Sequence, residues 1–452
     1  MISFTSLVGA GGVTGSKHLL EADGHKLLVD AGLFQGLKRL REKNWEPLPV
    51  RASDIDAVVL THAHLDHSGY IPKLVRDGFR GPVYASASTA DVAEIILYDA
   101  AHLQERDAEF ANRHGFSKHK PALALYGLRD ARRAMDQFES VPLHQTVRVK
   151  GGAQLTLRRA GHILGAATAQ IDWHGRRLVF SGDLGRYGDA TMVDPEPVTE
   201  ADYIVVESTY GDRRHPNVDP EEALLEVIER TTSRGGTVLI PTFAVGRAQS
   251  LLYHLWRLKA SGRLPLTPIY LDSPMAIDAT DLLHKHQDDH RIPYEVCAEV
   301  CSAATLVEDV EHSKAVTASP VPKVILAASG MATGGRVLHH IKAYGPDRRN
   351  TILFSGFQAA GTRGRSMVEG AEEVKIHGQW VPIRAEVRNL DMLSAHADAG
   401  EIMRWLGGFR RPPIKVFIVH GEPHASDALR LRIKDELGWS CVAPEMMERF
   451  EL

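Results

Sequence analysis

The first half of the chain alternates short apolar runs with polar stops. HKLLVD from His25, the run over residues 55–60, RLVF from Arg177 and YIVV from Tyr203 each end at a polar or small residue. Runs of this length, bounded by turn formers, predict buried strands whose terminal loops gather functional side chains. Residues 89–112, rich in Ala, Glu, Leu and Ile without Pro or Gly, predict a helix, and residues 127–140 predict another. From about Pro220 the pattern becomes strand, turn, helix. TVLIP from Thr237 leads into 247–258, and PIYLD from Pro268 leads into 277–286, with KVILA from Lys323 and TILFS from Thr351 continuing the series. That spacing predicts parallel βαβ construction. After about Val374 the polar-dense, strand-like style returns, ending in KVFIV from Lys415, His420 and a helix-like 425–437. No fixed-period repeat and no low-complexity segment interrupts the series.

At 452 residues the chain exceeds one ordinary core and predicts two large domains. With 44% hydrophobic and 24% charged residues it reads as a soluble globular protein. The 53 basic and 57 acidic residues leave a net charge of −4, so no global basic field points to a polyanion, and any such ligand must be held locally. Three cysteines, Cys297, Cys301 and Cys441, are too few for a disulfide framework. With no apolar stretch long enough to span a bilayer and no signal-like N-terminus, a cytoplasmic protein is expected, with no membrane partner. Cys297 and Cys301 lie i,i+4 but have no second pair to complete a zinc site, so they read as thiols in a helical stretch.

The chemistry sits behind the run ending at Leu60. His62-x-His64-x-Asp66-His67 places four potential ligands in six positions. Neutral imidazole mixed with carboxylate suits divalent ions such as zinc, and four ligands in one turn exceed what one ion needs, which favours a pair of adjacent metals. Further candidates stand in matching settings: Asp30 after KLLV, His162 in RAGHILGA, Asp183 in LVFSGDLG and His420 in VFIVHGE.

HAHLDH with Asp30, His162 and Asp183 resembles the metallo-β-lactamase superfamily. Glu207 in VVESTYG, PTFAVGRAQ from Pro241, LDSPMA from Leu271, ASGMATGGR from Ala328, SGFQAAGTRGR from Ser355, His396 in SAHAD, and His420 narrow the likeness to the β-CASP nucleases of the RNA-cleaving type. The resemblance implies an α/β fold: an αββα sandwich interrupted by a β-CASP domain with a mainly parallel sheet flanked by helices. The expected division is residues 1–208 and 374–452 for the sandwich and 209–373 for the insert. One zinc ion would take His62, His64, His162 and Asp183, and a second Asp66, His67, Asp183 as bridge, and His420. Asp30 would support the ligand loop rather than coordinate. Asp66, Glu207 and His396 are the expected catalytic positions, with His396, partnered by Glu207, as general acid. The implied reaction is hydrolysis of single-stranded RNA by metal-activated hydroxide, leaving 5′-phosphate and 3′-hydroxyl ends.

Ser394, Arg247, Arg363 and Arg365 are candidate phosphate contacts, and the Gly-rich stretches 329–335 and 356–364 would expose backbone N–H groups to an anion. GAGGVTG from Gly9 imitates a dinucleotide fingerprint, but Thr14 occupies its third glycine position. His284, His286 and His290 read as surface histidines at a helix end. A DNA nuclease and a small-molecule metallohydrolase are the alternatives; the inserted domain disfavours the second, and His420, which the family's DNA-directed branch tends to lack, disfavours the first. A catalytically dead subunit would have lost ligands, and every ligand position is filled. Endonuclease and 5′→3′ exonuclease modes stay open, as does a homodimer, and no obligate protein complex is implied.

Overall fold

The computed structural model describes residues 1–9, 11–115, 117, 119–264 and 267–452. The chain forms two compact units, one of Met1–Arg214 with His396–Leu452 and one of His215–Ala395.

In the first unit, a seven-stranded sheet runs Arg449–Glu451, Ser3–Val8, Lys17–Ala22, His25–Val29, Ala57–Val59, Val83–Ala85, Phe138–Ser140. A second seven-stranded sheet runs Cys441–Val442, Lys415–Val419, Tyr203–Glu207, Arg176–Phe180, Ala167–Trp173, Gln154–Arg159, Thr146–Arg148. The C-terminal segment contributes strands to both sheets, so this unit closes only when the chain returns from the other one.

Because side chains alternate along a strand, each strand feeds two layers. Phe4, Leu20, Leu27, Val29 and Val59 meet Leu155, Ile171, Leu178, Phe180, Val205 and Phe417 in one core between the sheets. On the other side of the second sheet, Val179, Ile204, Val206 and Ile418 pack on Ile402, Trp405 and Leu406 of helix Ala399–Leu406 and on Leu429 and Ile433 of helix Pro423–Leu437. Leu28 and Val58 of the first sheet are likewise fully buried. Burial on both faces is why these strands read as continuous apolar runs rather than alternating ones.

The second unit carries a six-stranded sheet ordered Thr305–Leu306, Ile269–Asp272, Val324–Ala327, Val238–Pro241, Thr351–Phe354, Glu386–Asn389, with every pair parallel. The antiparallel hairpin of Glu373–Ile376 and Gln379–Pro382 turns Val374, Ile376 and Val381 onto Ile341, Tyr344 and Met367. At one strand end the fully buried Asp272 accepts from Arg336 Nη1 (2.6 Å), His340 Nε2 (2.7 Å) and Ser313 Oγ (2.5 Å). Its carboxyl is held below its usual range because these donors outweigh the cost of burial.

Residues 127–140 depart from the single helix expected. Helix Leu128–Met135 stops, and Phe138–Ser140 becomes an edge strand parallel to Val83–Ala85. The ladder bonds Val83 N–H to Gln137 O and Val141 N–H to Ala85 O, each 2.7 Å, capture that segment, and local propensity does not report them. His290 is also not a surface histidine. It is buried, with Nε2 donating to Leu283 O (2.8 Å) and Nδ1 accepting from Ile292 N–H (3.1 Å). Cys297 and Cys301 lie on helix Tyr294–Ser302, and all three cysteines are free thiols. Among the described residues no helix is long and apolar enough to cross a membrane.

Candidate metal centre

Five strands of the first unit end around one point. His25–Val29 delivers Asp30, Arg176–Phe180 delivers Asp183 three residues past its last residue Phe180, Tyr203–Glu207 ends in Glu207, and Lys415–Val419 delivers His420. Ala57–Val59 leads through Thr61 into His62 and His64, and the short helix Leu65–Ser68 carries Asp66 and His67. His162 comes from the turn after Gln154–Arg159, and His396 forms an isolated antiparallel bridge with Gly185.

One ligand atom from each of His62, His64, His162 and Asp183 lies within 4.8 Å of the others, and the same holds for Asp66, His67 and His420, and for Asp183, Glu207 and His420. Asp183 links the groups: Oδ2 is 3.3 Å from His62 Nε2 and 3.6 Å from His162 Nε2, while Oδ1 is 3.3 Å from His67 Nε2 and 3.5 Å from His420 Nδ1.

These atoms fit divalent cations. His62 Nε2, His162 Nδ1 and Asp183 Oδ1 are buried and make no hydrogen bond among the described residues, an expensive arrangement for polar atoms unless something positive meets them. The tautomers agree. Asp30 Oδ2 accepts from His67 Nδ1–H (2.8 Å), which leaves the His67 Nε2 lone pair facing His420 Nε2 (3.1 Å) and Asp183. Lone pairs so crowded repel one another until a cation, or at His67 a proton, takes them. Burial drives the pKa of His62 down, that of His64 to about 3 and that of His162 well below its ordinary value, so all three stay neutral, the form that ligates. Burial opposes charge at His67 too, yet Asp183 and Asp30 outweigh it and raise its pKa. At Asp183 burial favours the neutral acid, but His420, His67 and His62 hold the carboxylate ionised.

Asp30 adopts a left-handed backbone, φ 59°, and aims both oxygens into the ligand loop. Oδ1 accepts from Thr61 N–H (2.8 Å), and Oδ2 accepts from Thr61 Oγ1–H (2.9 Å) besides His67. Thr61 Oγ1 then lies 3.2 Å from His62 Nδ1, so one carboxylate orients two imidazoles. Gly32 is required beside it, because a Cβ there would sit 1.6 Å from Asp66 O.

Glu207 is buried and accepts from Leu184 N–H (2.6 Å) and Thr209 N–H (3.4 Å). His396 Nδ1 lies 3.2 Å from Glu207 Oε2 and 3.9 Å from Asp183 Oδ2. Burial opposes the imidazolium, but Glu207 and then Asp183 and Asp66 outweigh it, and the pKa of His396 rises. The geometry brings together Asp30, His62, His64, Asp66, His67, His162, Asp183, Glu207, His396 and His420.

Residues 11–234 match the metallo-beta-lactamase superfamily, 248–367 the Beta-Casp domain, and 380–444 a Zn-dependent metallo-hydrolase RNA specificity domain. The chain is 40% identical over 422 residues, 91% of each chain, to Ribonuclease TTHA0252 of Thermus thermophilus. The chain belongs to the β-CASP metallo-β-lactamase family. It is also 30% identical over 479 residues to Transcription termination factor FttA of Pyrococcus abyssi, covering 100% of this chain and 71% of that one. A solved structure of a protein of unknown function from Enterococcus faecalis V583 aligns over the whole of both chains with TM-score 0.55 at 12% identity, which shows a shared fold.

The remaining candidates belong to the unit that holds the Beta-Casp match. Arg247 is buried at the start of helix Arg247–Ala260. Arg363 donates to the carbonyls of Lys375 (2.6 Å), Ala332 and Thr333 (3.2 Å each), and Arg365 pairs with Glu369 (2.5 Å). Ser394 is buried behind the turn Asp391–Leu393. Within the β-CASP loop 329–335, Thr333 N–H and Gly334 N–H donate to Ser329 Oγ (3.0 and 3.4 Å), so the loop satisfies amides expected to be open. Thr61 and Thr209 were missed by sequence reasoning. Thr61 abuts His62, a usable signal, but Thr209 reaches His420 across 211 positions.

Proposed function

We propose that this β-CASP protein is a metal-dependent ribonuclease holding two zinc ions, one on His62, His64, His162 and Asp183 and the other on Asp66, His67, Asp183 and His420. The observation that carries the reading is the pair of donor groups joined at Asp183 beside the Glu207–His396 pair. RNA as substrate is supported by the ribonuclease relative and by the match to the RNA specificity domain. When bound, the two cations would supply a water nucleophile at neutral pH and offset the charge that builds on the phosphate.

The chain's own residues do the rest. Asp30 and Thr61 hold the imidazoles of His67 and His62 in their ligating tautomers. Glu207, itself held by backbone amides, accepts from His396 Nδ1–H and keeps that ring protonated. Water attacks phosphorus and releases one proton to solvent, the bond from phosphorus to the 3′-oxygen breaks, and His396 gives the leaving oxygen its proton and is reprotonated from solvent. The products are a 5′-phosphate and a 3′-hydroxyl. Ser394, Arg247, Arg363 and Arg365 are proposed to contact the strand in the second unit, and the free thiols fit a cytoplasmic setting.

Matched single-stranded RNA and DNA oligonucleotides, labelled at either end and digested briefly by the zinc-loaded protein, test the reading. Cleavage of RNA with 5′-phosphate product ends is expected, and the length distribution of the fragments separates internal cleavage from trimming. A preference for DNA would overturn the substrate assignment.

A further inference from the structure

His420 is the one ligand of its group whose ring is steered from outside the HAHLDH turn and its Asp30 support. Its backbone is clamped independently of the ring: φ is 51°, its N–H donates to Gly9 O (2.8 Å), and its carbonyl accepts from Ser208 N–H (3.3 Å). A left-handed histidine held at both amides has little left to adjust except the imidazole. That ring has two competing neighbours for Nδ1, the Thr209 hydroxyl at 3.1 Å and the Asp183 carboxylate at 3.5 Å. Thr209 Oγ1 donates its own proton to His420 O (3.2 Å). The hydroxyl is thereby committed to accepting from Nδ1–H, and the bare nitrogen is Nε2. It lies 3.1 Å from His67 Nε2 and 3.3 Å from Asp66 Oδ2, among the atoms of its own ligand group.

We infer that Thr209 is a positioning residue whose hydroxyl selects the tautomer and orientation of His420 and so decides whether the Asp66–His67–His420 group closes on a cation. Without that hydroxyl, Nδ1–H turns to Asp183 Oδ1, the ring rotates away from Asp66, and Asp183 spends an oxygen on a proton instead of bridging. The inference rests on the two-cation reading.

Thr209→Val removes the hydroxyl and keeps the shape, Thr209→Ser keeps the hydroxyl, and Thr209→Ala removes it without the branched side chain. Zinc per chain is measured after gel filtration, zinc affinity by competition with a chromogenic chelator, and kcat and KM on an RNA oligonucleotide. The wild type and Thr209→Ser should hold two ions. Thr209→Val and Thr209→Ala should hold one, with affinity for the second weakened on the order of 10–100-fold, the usual effect of removing a partner of a ligating histidine. The activity loss should fall in kcat, with KM and the melting temperature of the metal-free proteins unchanged. A purely structural role would instead lower that melting temperature and leave the second affinity intact, which overturns the inference, as do two ions of unaltered affinity in Thr209→Val and Thr209→Ala. A wild type that is fully active with one ion overturns the two-cation reading itself, and this inference with it.

Discussion

Asp183 joins the donor groups because its two oxygens face different ones: His62 and His162 on one side, His67 and His420 on the other. Asp183→Ala should therefore lose both ions and all activity together. His396→Ala should retain both ions and lose on the order of 10²–10⁴ in kcat, the usual range for a missing general acid. Metal analysis beside RNA turnover checks the pair, and equal metal loss in both variants would refute the division between ligand and acid. Lys17 gives a pH-dependent expectation away from the metal. Its ammonium is buried, donates to the carbonyls of Gly32 and Gly15, and lies 4.5 Å from the Tyr70 ring centre, with burial lowering its pKa from 10.5 to about 7. Below about pH 7 both folded and unfolded chains hold the proton and the buried charge costs its full penalty; between about 7 and 10.5 the unfolded chain binds more protons, so stability rises with pH. Lys17→Met should lose that rise. Denaturant midpoints of both proteins at pH 6 and pH 9 should converge at the higher pH, and parallel midpoints would show that Lys17 does not titrate there.

Strand ends and the tight turns behind them set the spacing of the site. The loop after His25–Val29 lies against the Asp66–His67 turn through Ala31 N–H to His67 O (2.7 Å), Leu33 N–H to Leu65 O (3.0 Å) and Tyr70 N–H to Ala31 O (2.7 Å). Gly32→Ala cannot keep these bonds, since its Cβ would overlap Asp66 O at 1.6 Å. A loss of about 1–3 kcal/mol, the usual cost of forced overpacking, should appear together with weaker zinc binding. Calorimetry and chelator competition would show the two effects, and loss of stability with unaltered zinc affinity would mean that the turn does not set the ligands. Helix Ala399–Leu406, just beyond His396, is fixed by a reciprocal cap. Asp398 Oδ1 accepts from Gly400 and Glu401 N–H (2.8 and 2.9 Å), and Glu401 Oε2 accepts from Asp398 N–H (2.9 Å). Asp398→Ala should cost about 0.5–2 kcal/mol.

For the molecule as a whole, metal binding is folding energy. Each cation that binds only the folded state stabilises it by roughly 2.7 kcal/mol at 100 times Kd, or about 3 °C in melting temperature for a chain of this size. Chelation should lower the melting temperature by that order, added zinc should restore it, and Asp183→Ala should show no such response. The organisation of the chain was legible wherever burial on both faces made strands into continuous apolar runs: HKLLVD, RLVF, YIVV and the parallel series from Thr237 all became strands at or within a few residues of the expected places. Phe138–Ser140 was not legible, because an edge strand is defined by the neighbour it pairs with, and the buried His290 was not, because its acceptor is a carbonyl seven residues upstream.

The sequence by itself determined where the donor side chains for such chemistry stand along the chain. HAHLDH packs its donors into one turn, and Asp30, His162, Asp183 and His420 each follow an apolar run or lie among small residues. Those signals are local, and local signals survive in one dimension. The resemblance already pointed to Asp183 between two donor sets and to Glu207 beside His396; the tertiary structure gave those pairs their distances, and it alone decided that Thr209 reaches His420 across 211 positions. Such contacts arise because strands distant in the chain become neighbours in one sheet, and the order of strands in a sheet is set by packing that no single segment contains.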